Sequence, residues 1–135
     1  MITAYIDGGS RGNPGPAGYG VQIVDGSGQV LAELHQSLGH ATNNVAEYRG
    51  LLAALAWAQD GGLTRLHIRS DSELLVRQLK GEYRVKNPGL QALYQEARER
   101  VGRIGEVTFE HVRRELNCEA DRLANLAMDE AAAQK

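Results

Sequence analysis

The chain opens on a strand period and then switches to alternating helix and strand periods. Residues 2–7 (ITAYID) put Ile2, Ala4 and Ile6 on one face and Thr3, Tyr5 and Asp7 on the other, the pattern of a strand with one buried side. The glycine- and proline-rich stretch Gly8 to Gly18 predicts a loop. Residues 19–24 and 29–38 predict two more strands, and Asp25-Gly26-Ser27-Gly28 between them is a hairpin signal. From residue 44 to 59 the period lengthens, with Tyr48, Leu51, Leu52, Leu55 and Ala56 at helical spacing. Gly61-Gly62 ends that helix. A strand over 64–70 sets Leu66 and Ile68 against His67 and Arg69. A short helix over 72–80, a connection over 82–88 and a helix over 89–101 follow. The chain closes with a strand over 106–112 and a helix over 118–132, striped by Ala120, Leu123, Ala124, Ala127 and Met128.

Three meandering strands followed by alternating helix and strand imply an α/β fold, a five-stranded mixed sheet with helices on its faces. The last two strands are each reached through helices, so they pair in parallel beside the first. Sites in such sheets form beyond the strand ends where the chain switches direction. Asp7 and Asp71 fall there. The 135 residues suit one domain over 1–135 with a real core, with 130–135 as a frayed tail. Hydrophobic residues make up 42%, which excludes global disorder, and aromatics only 5%, which predicts an aliphatic core. A net charge of −2 confines any nucleic-acid contact to a local patch. Cys118 is the only cysteine, so an internal disulfide is excluded and a reducing cytoplasm fits. No apolar run is long enough to cross a bilayer, and we expect no membrane partner.

Four carboxylates, Asp7, Glu47, Asp71 and Asp121, each lie at a strand end or in a first helical turn. Each has a plain local explanation. Asp7 before Gly8-Gly9 is a turn aspartate. Asn44 to Glu47 is a capping box. Asp71, between Ser70 and Ser72, is a helix N-cap. Asp121 complements a helix dipole. Against these, Leu51 and Ala54 at i+4 and i+7 place Glu47 at the rim of an apolar face. If the four converge, they need a cation. Two unit charges about 4 Å apart repel by roughly 4 kcal/mol at an effective dielectric near 20. Divalent metal, and with it metal-assisted hydrolysis, is the chemistry that such a cluster serves.

Four motifs in order, YIDGGSRGNPGPAGYG, ATNNVAEYRGLLAAL, IRSDSELLVRQL and NCEADRLANLA, with VKNPGLQALYQ between the last two, resemble ribonuclease H type 1 over nearly the whole chain. The resemblance implies the ribonuclease H-like fold and endonucleolytic cleavage of the RNA strand of an RNA–DNA hybrid, leaving 3′-hydroxyl and 5′-phosphate ends. It assigns Asp7, Glu47, Asp71 and Asp121 as catalytic and metal-binding. Two Mg2+ ions, about 3.5–4 Å apart, would share Asp7; Glu47 and Asp71 would hold the one beside the nucleophilic water, and Asp121 the other. Mn2+ is an alternative ion. The resemblance also places sugar recognition at Gly12, Asn13, Asn43, Asn44 and Glu47, and a DNA-strand phosphate at Thr42 and Asn43. A turn accounts locally for Asn13-Pro14-Gly15, and helix capping for Thr42. Ser72 and Arg114 complete the expected substrate contacts, on a monomer.

The chain departs from that pattern in two places. Many members carry a basic protrusion before the Val-Lys-Asn element; here only Gly81 to Arg84 precede Val85-Lys86-Asn87. Arg77, Lys80, Arg84 and Lys86 form a modest basic cluster in its stead. Many members also have a histidine loop before the last helix; here Arg113-Arg114-Glu115-Leu116-Asn117 stands there, so Arg114 or Glu115 is the candidate replacement. His111 is expected to be packed or paired in its strand, Cys118 to be a small buried residue, and Trp57 to be core. Two other readings follow from these departures: a duplex-binding module with little catalysis, and a nuclease that also cuts double-stranded RNA.

Overall fold

Alternation in the first strand buries Ala4 and Ile6, and this strand becomes the middle of the sheet. The computed structural model describes residues 1–134. The strands are β1 (Thr3–Ser10), β2 (Gly15–Val24), β3 (Val30–Ala41), β4 (Arg65–Ser70) and β5 (Glu106–His111). The helices are α1 (Asn43–Asp60), α2 (Glu73–Leu79), α3 (Pro88–Ile104) and α4 (Cys118–Ala133). The five strands run in the order β3-β2-β1-β4-β5. β1 pairs antiparallel with β2 and parallel with β4; β2–β3 is antiparallel and β4–β5 parallel. This is the mixed sheet expected from the strand and helix order.

The core is aliphatic: Ile6, Val21, Ile23, Leu66 and Ile68 from the sheet meet Leu51, Leu55 and Leu79 from the helices. Tyr48 is buried among them, and its hydroxyl donates to Gln78 Oε1 at 2.7 Å. Trp57 packs against this cluster, as expected.

Several local expectations are corrected. The segment Gly8 to Gly18 is mostly strand, because β1 runs on to Ser10 and β2 begins at Gly15. Its glycines mark close approach of helices as well as a turn. Residues 130–134 are not frayed. α4 continues to Ala133, Ala131 is buried, Glu130 meets His35 at 2.9 Å and Gln134 accepts from Ser37 Oγ at 3.2 Å. Lys135 lies outside the described residues. α3 starts at Pro88 and reaches Ile104, with Asn87 Oδ1 accepting from Gly89 N–H at 2.8 Å; proline suits a first helical turn because its missing N–H has no partner there. Cys118 is exposed, its thiol donating to the Glu115 carbonyl at 2.9 Å. His111 ends β5 exposed. Among the described residues no helix is long and apolar enough to cross a membrane.

Candidate active site

β1 and β4 lie side by side in parallel, and their last paired residues are Ile6 and Ser70. Asp7 and Asp71 therefore stand together just past the last rung of that ladder, Asp7 still paired with Gly20 of β2 and Asp71 beyond the end of β4. Two glycines bring the other acids to them. A Cβ on Gly8 would stand 2.4 Å from Ala46 C and 2.6 Å from Glu47 N. Without it, the first turns of α1 press on β1 and deliver Glu47. A Cβ on Gly20, the β2 partner of Asp7, would stand 2.5 Å from the Ala120 carbonyl oxygen. That contact seats the first turn of α4 and delivers Asp121. The four acids line one cleft of about 350 Å3, with Asn43 and Arg114 on its walls.

The local explanations for Glu47 and Asp71 are taken up by other residues, while Asp121 does lie in the first turn of α4. Thr42 caps α1, accepting from Val45 N–H at 3.3 Å, so Asn44–Glu47 is not a capping box. Ser72 caps α2, accepting from Leu75 N–H at 3.2 Å, so Asp71 is not the cap. Asp7 does accept from Gly8 N–H at 3.0 Å. None of the four takes part in a salt bridge among the described residues.

Uncompensated negative charge shows in the proton affinities. Burial, then repulsion from Asp71 and contact with Asp121, raises Asp7 to about 8. Burial raises Glu47 to about 7, with Asp71 adding and the Ser72 hydroxyl opposing. Asp71 is also raised by burial, against the Asn117 side chain, Arg114 and His111. Asp71 thus acts on Glu47 and Asp7 and is itself raised by Asp121, and Asp7 is raised by both Asp71 and Asp121.

An all-oxygen set of this kind suits a hard divalent cation. Among the described residues, no three acidic, histidine or cysteine side chains are grouped so that they could hold a metal ion by themselves; these oxygen donors fit a hard divalent cation only with water or phosphate completing its shell.

The expected substrate contacts gather mainly at the α1 end of the cleft. Asn13 Oδ1 accepts from Asn43 N–H at 3.1 Å, and Asn43 Oδ1 accepts from Ser10 N–H at 2.7 Å. Both carbonyl oxygens are thus engaged within the protein, which turns their amide N–H groups outward as donors. Gly12 holds a positive φ of 89° in the same loop. Asn44 is exposed beside them, Ser72 stands against Glu47, and exposed Arg114 begins the turn Arg114–Leu116. Arg77 is committed to Glu73 and Glu82, which removes it from the expected basic cluster.

Sequence reasoning missed Asn117. It sits where an N-cap belongs but makes no side-chain cap bond. Instead its Nδ2 donates to the Ile6 carbonyl at 2.9 Å. A polar residue before an apolar helix was the available signal, and it pointed to the wrong partner.

A sheet of this order, with acids just past the last rung of its β1–β4 parallel ladder, defines the ribonuclease H-like fold class. A family model described as "Reverse transcriptase-like" matches residues 5–127. The "Bifunctional protein Rv2228c" of Mycobacterium tuberculosis is 50% identical over 133 residues, which are 97% of this chain and 36% of that protein. A structure of its N-terminal RNase H domain, fused to maltose binding protein, has a TM-score of 0.94, covering 98% of this chain and 96% of that one at 48% identity. RNase H1 from Halobacterium salinarum has a TM-score of 0.91 at 43% identity, covering 96% and 98%. LC11-RNase H1 in complex with RNA/DNA hybrid has a TM-score of 0.88 at 44% identity, covering 98% and 99%. The chain belongs to the ribonuclease H type 1 family. It spans about a third of the length of its mycobacterial relatives.

Proposed function

We propose that this chain is an endoribonuclease that hydrolyses the RNA strand of RNA–DNA hybrids, leaving 3′-hydroxyl and 5′-phosphate ends. One observation carries the reading: four carboxylates share a cleft with a single cationic side chain, Arg114, on its walls. The likeness to LC11-RNase H1, whose structure contains an RNA/DNA hybrid, supports the choice of substrate.

Two divalent ions, when bound, stabilise the attacking and the leaving oxygen of a phosphodiester. Glu47 with Asp71 would hold one, Asp121 the other, and Asp7, in contact with both groups, would serve both. Their raised proton affinities mean that ion uptake displaces protons from Asp7 and Glu47. Substrate choice falls to the amide donors of Asn13 and Asn43, which suit a ribose 2′-hydroxyl. Gly12 lets the backbone come close to the sugar. Arg114 offsets negative charge on Asp71 and would steady the scissile phosphate.

A binding module without catalysis would have no use for this accumulation of half-buried acids that no salt bridge offsets among the described residues. The test is cleavage of an end-labelled RNA–DNA hybrid with Mg2+ or with chelator, beside Asp7→Asn. Mg2+-dependent cleavage lost in the variant is expected. Absence of cleavage by the wild type, or equal rates in the variant, refutes the reading. A parallel double-stranded RNA arm measures the breadth of the substrate class.

A further inference from the structure

We propose that Asn117 is a positioning residue for the cleft, its buried side-chain amide clasping β1, at the residue before Asp7, to the start of α4. The proposal rests on the hybrid-nuclease reading above. Asn117 is 1% exposed. Its Nδ2 donates to the Ile6 carbonyl, on the residue before Asp7, at 2.9 Å. Ile6 is also the last β1 residue paired with β4, so the amide grips the sheet where its parallel ladder opens. Its backbone carbonyl accepts from Asp121 N–H at 3.0 Å, and its own N–H donates to the Arg114 carbonyl at 2.9 Å. One residue thus bonds the backbone of Asp121, of Arg114 and of Ile6, the neighbour of Asp7.

The chemistry of the side chain fits that task. A carboxamide nitrogen is a hydrogen-bond donor, and here it meets a strand carbonyl. The other half of the group works against stability: Asn117 Oδ1 is buried with no hydrogen-bond partner. An unpartnered buried acceptor is destabilising, so packing alone does not explain an asparagine here. A donor fixed on the β1 carbonyl beside Asp7 does.

Asn117→Leu, nearly isosteric, removes the donors and the orphaned oxygen together; Asn117→Ser is the second variant. Three quantities are measured: kcat and KM on a labelled RNA–DNA hybrid, the melting temperature, and metal-free amide chemical shifts of Asp7, Gly8 and Asp71. A folded variant is expected to keep KM within about twofold and lose kcat by about tenfold to 100-fold, the scale set by displacing reacting groups by up to an ångström. The amide shifts should move without metal. A folded variant with wild-type kcat overturns the clasp, as does loss of kcat in proportion to the unfolded fraction. If neither variant folds, Asn117 belongs to the scaffold and the proposal fails. Wild-type protein that does not cut the hybrid instead refutes the nuclease reading, and the clasp with it.

Discussion

Asp7→Asn should make the metal-free protein more stable while destroying its activity. The substitution keeps the side-chain size and an oxygen to accept from Gly8 N–H, and removes one negative charge. Burial, aided by Asp71 and Asp121, lifts the Asp7 carboxyl from 3.8 to about 8. Below pH 4 both the folded and the unfolded chain keep this proton, so the group leaves stability unchanged. As pH rises, the unfolded chain ionises first and binds fewer protons than the native state, so stability falls until the folded carboxyl ionises near pH 8. At pH 7 the gap is roughly three pKa units, a ceiling of about 4 kcal/mol at about 1.4 kcal/mol per unit. Asp7 shares its field with two other acids and the cleft is open to water, so about half of that survives, about 2 kcal/mol.

For a domain of this size, 2 kcal/mol corresponds to about 6–8 °C in Tm. Thermal melts followed by circular dichroism in chelator, from pH 4 to pH 8, should show Asp7→Asn level with wild type at the acid end and ahead by that margin at neutral pH. Added Mg2+ should raise the wild-type Tm, because an ion that binds only the native state stabilises it, and should raise the variant less. A gain of equal size at pH 4 and pH 8 would refute the electrostatic account, since simple repacking has no pH dependence. No gain at any pH would show that these acids do not repel one another in the folded state.

Gly8→Ala forces a methyl group against Ala46 and Glu47 backbone atoms; we expect a loss of about 1–3 kcal/mol in denaturant unfolding and a larger fall in hybrid cleavage, because α1 carries Glu47. Unchanged stability would remove the close-approach argument. Arg114→Ala should fold normally and cut more slowly, Arg114 being the one cation lining the cleft; Glu115→Ala is its companion, and wild-type rates in both would dismiss this segment as a substitute for the histidine loop. Lys80, Arg84 and Lys86 remain as the basic cluster, so hybrid binding should be weak and lose affinity with salt at a log–log slope of about −3 for roughly three phosphates neutralised. Fluorescence anisotropy over a salt series checks this, and a slope near zero would contradict it.

The sheet and its helices were legible because period is a local property: alternation in ITAYID and helical spacing from Tyr48 to Leu55 need no knowledge of distant residues. What local pattern cannot separate is one residue type serving two geometries. Glycines in Gly8 to Gly18 read as turn, yet Gly8 is a strand residue kept bare for α1. Glu47 and Asp71 could each be excused as helix caps until the fold showed Thr42 and Ser72 in those posts. The four acids were grouped by resemblance to a family rather than by spacing, and the fold then supplied the physical reason: the close of a parallel ladder for two, glycine-seated helices for the others. Asn117 escaped both routes. Its side-chain partner Ile6 lies 111 residues away, and nothing in its neighbours announces that contact. A sequence signals what a residue does to its own helix or strand; what a side chain does between elements becomes visible only when the elements are packed, and in this cleft those inter-element contacts set the charge and the placement of every acid.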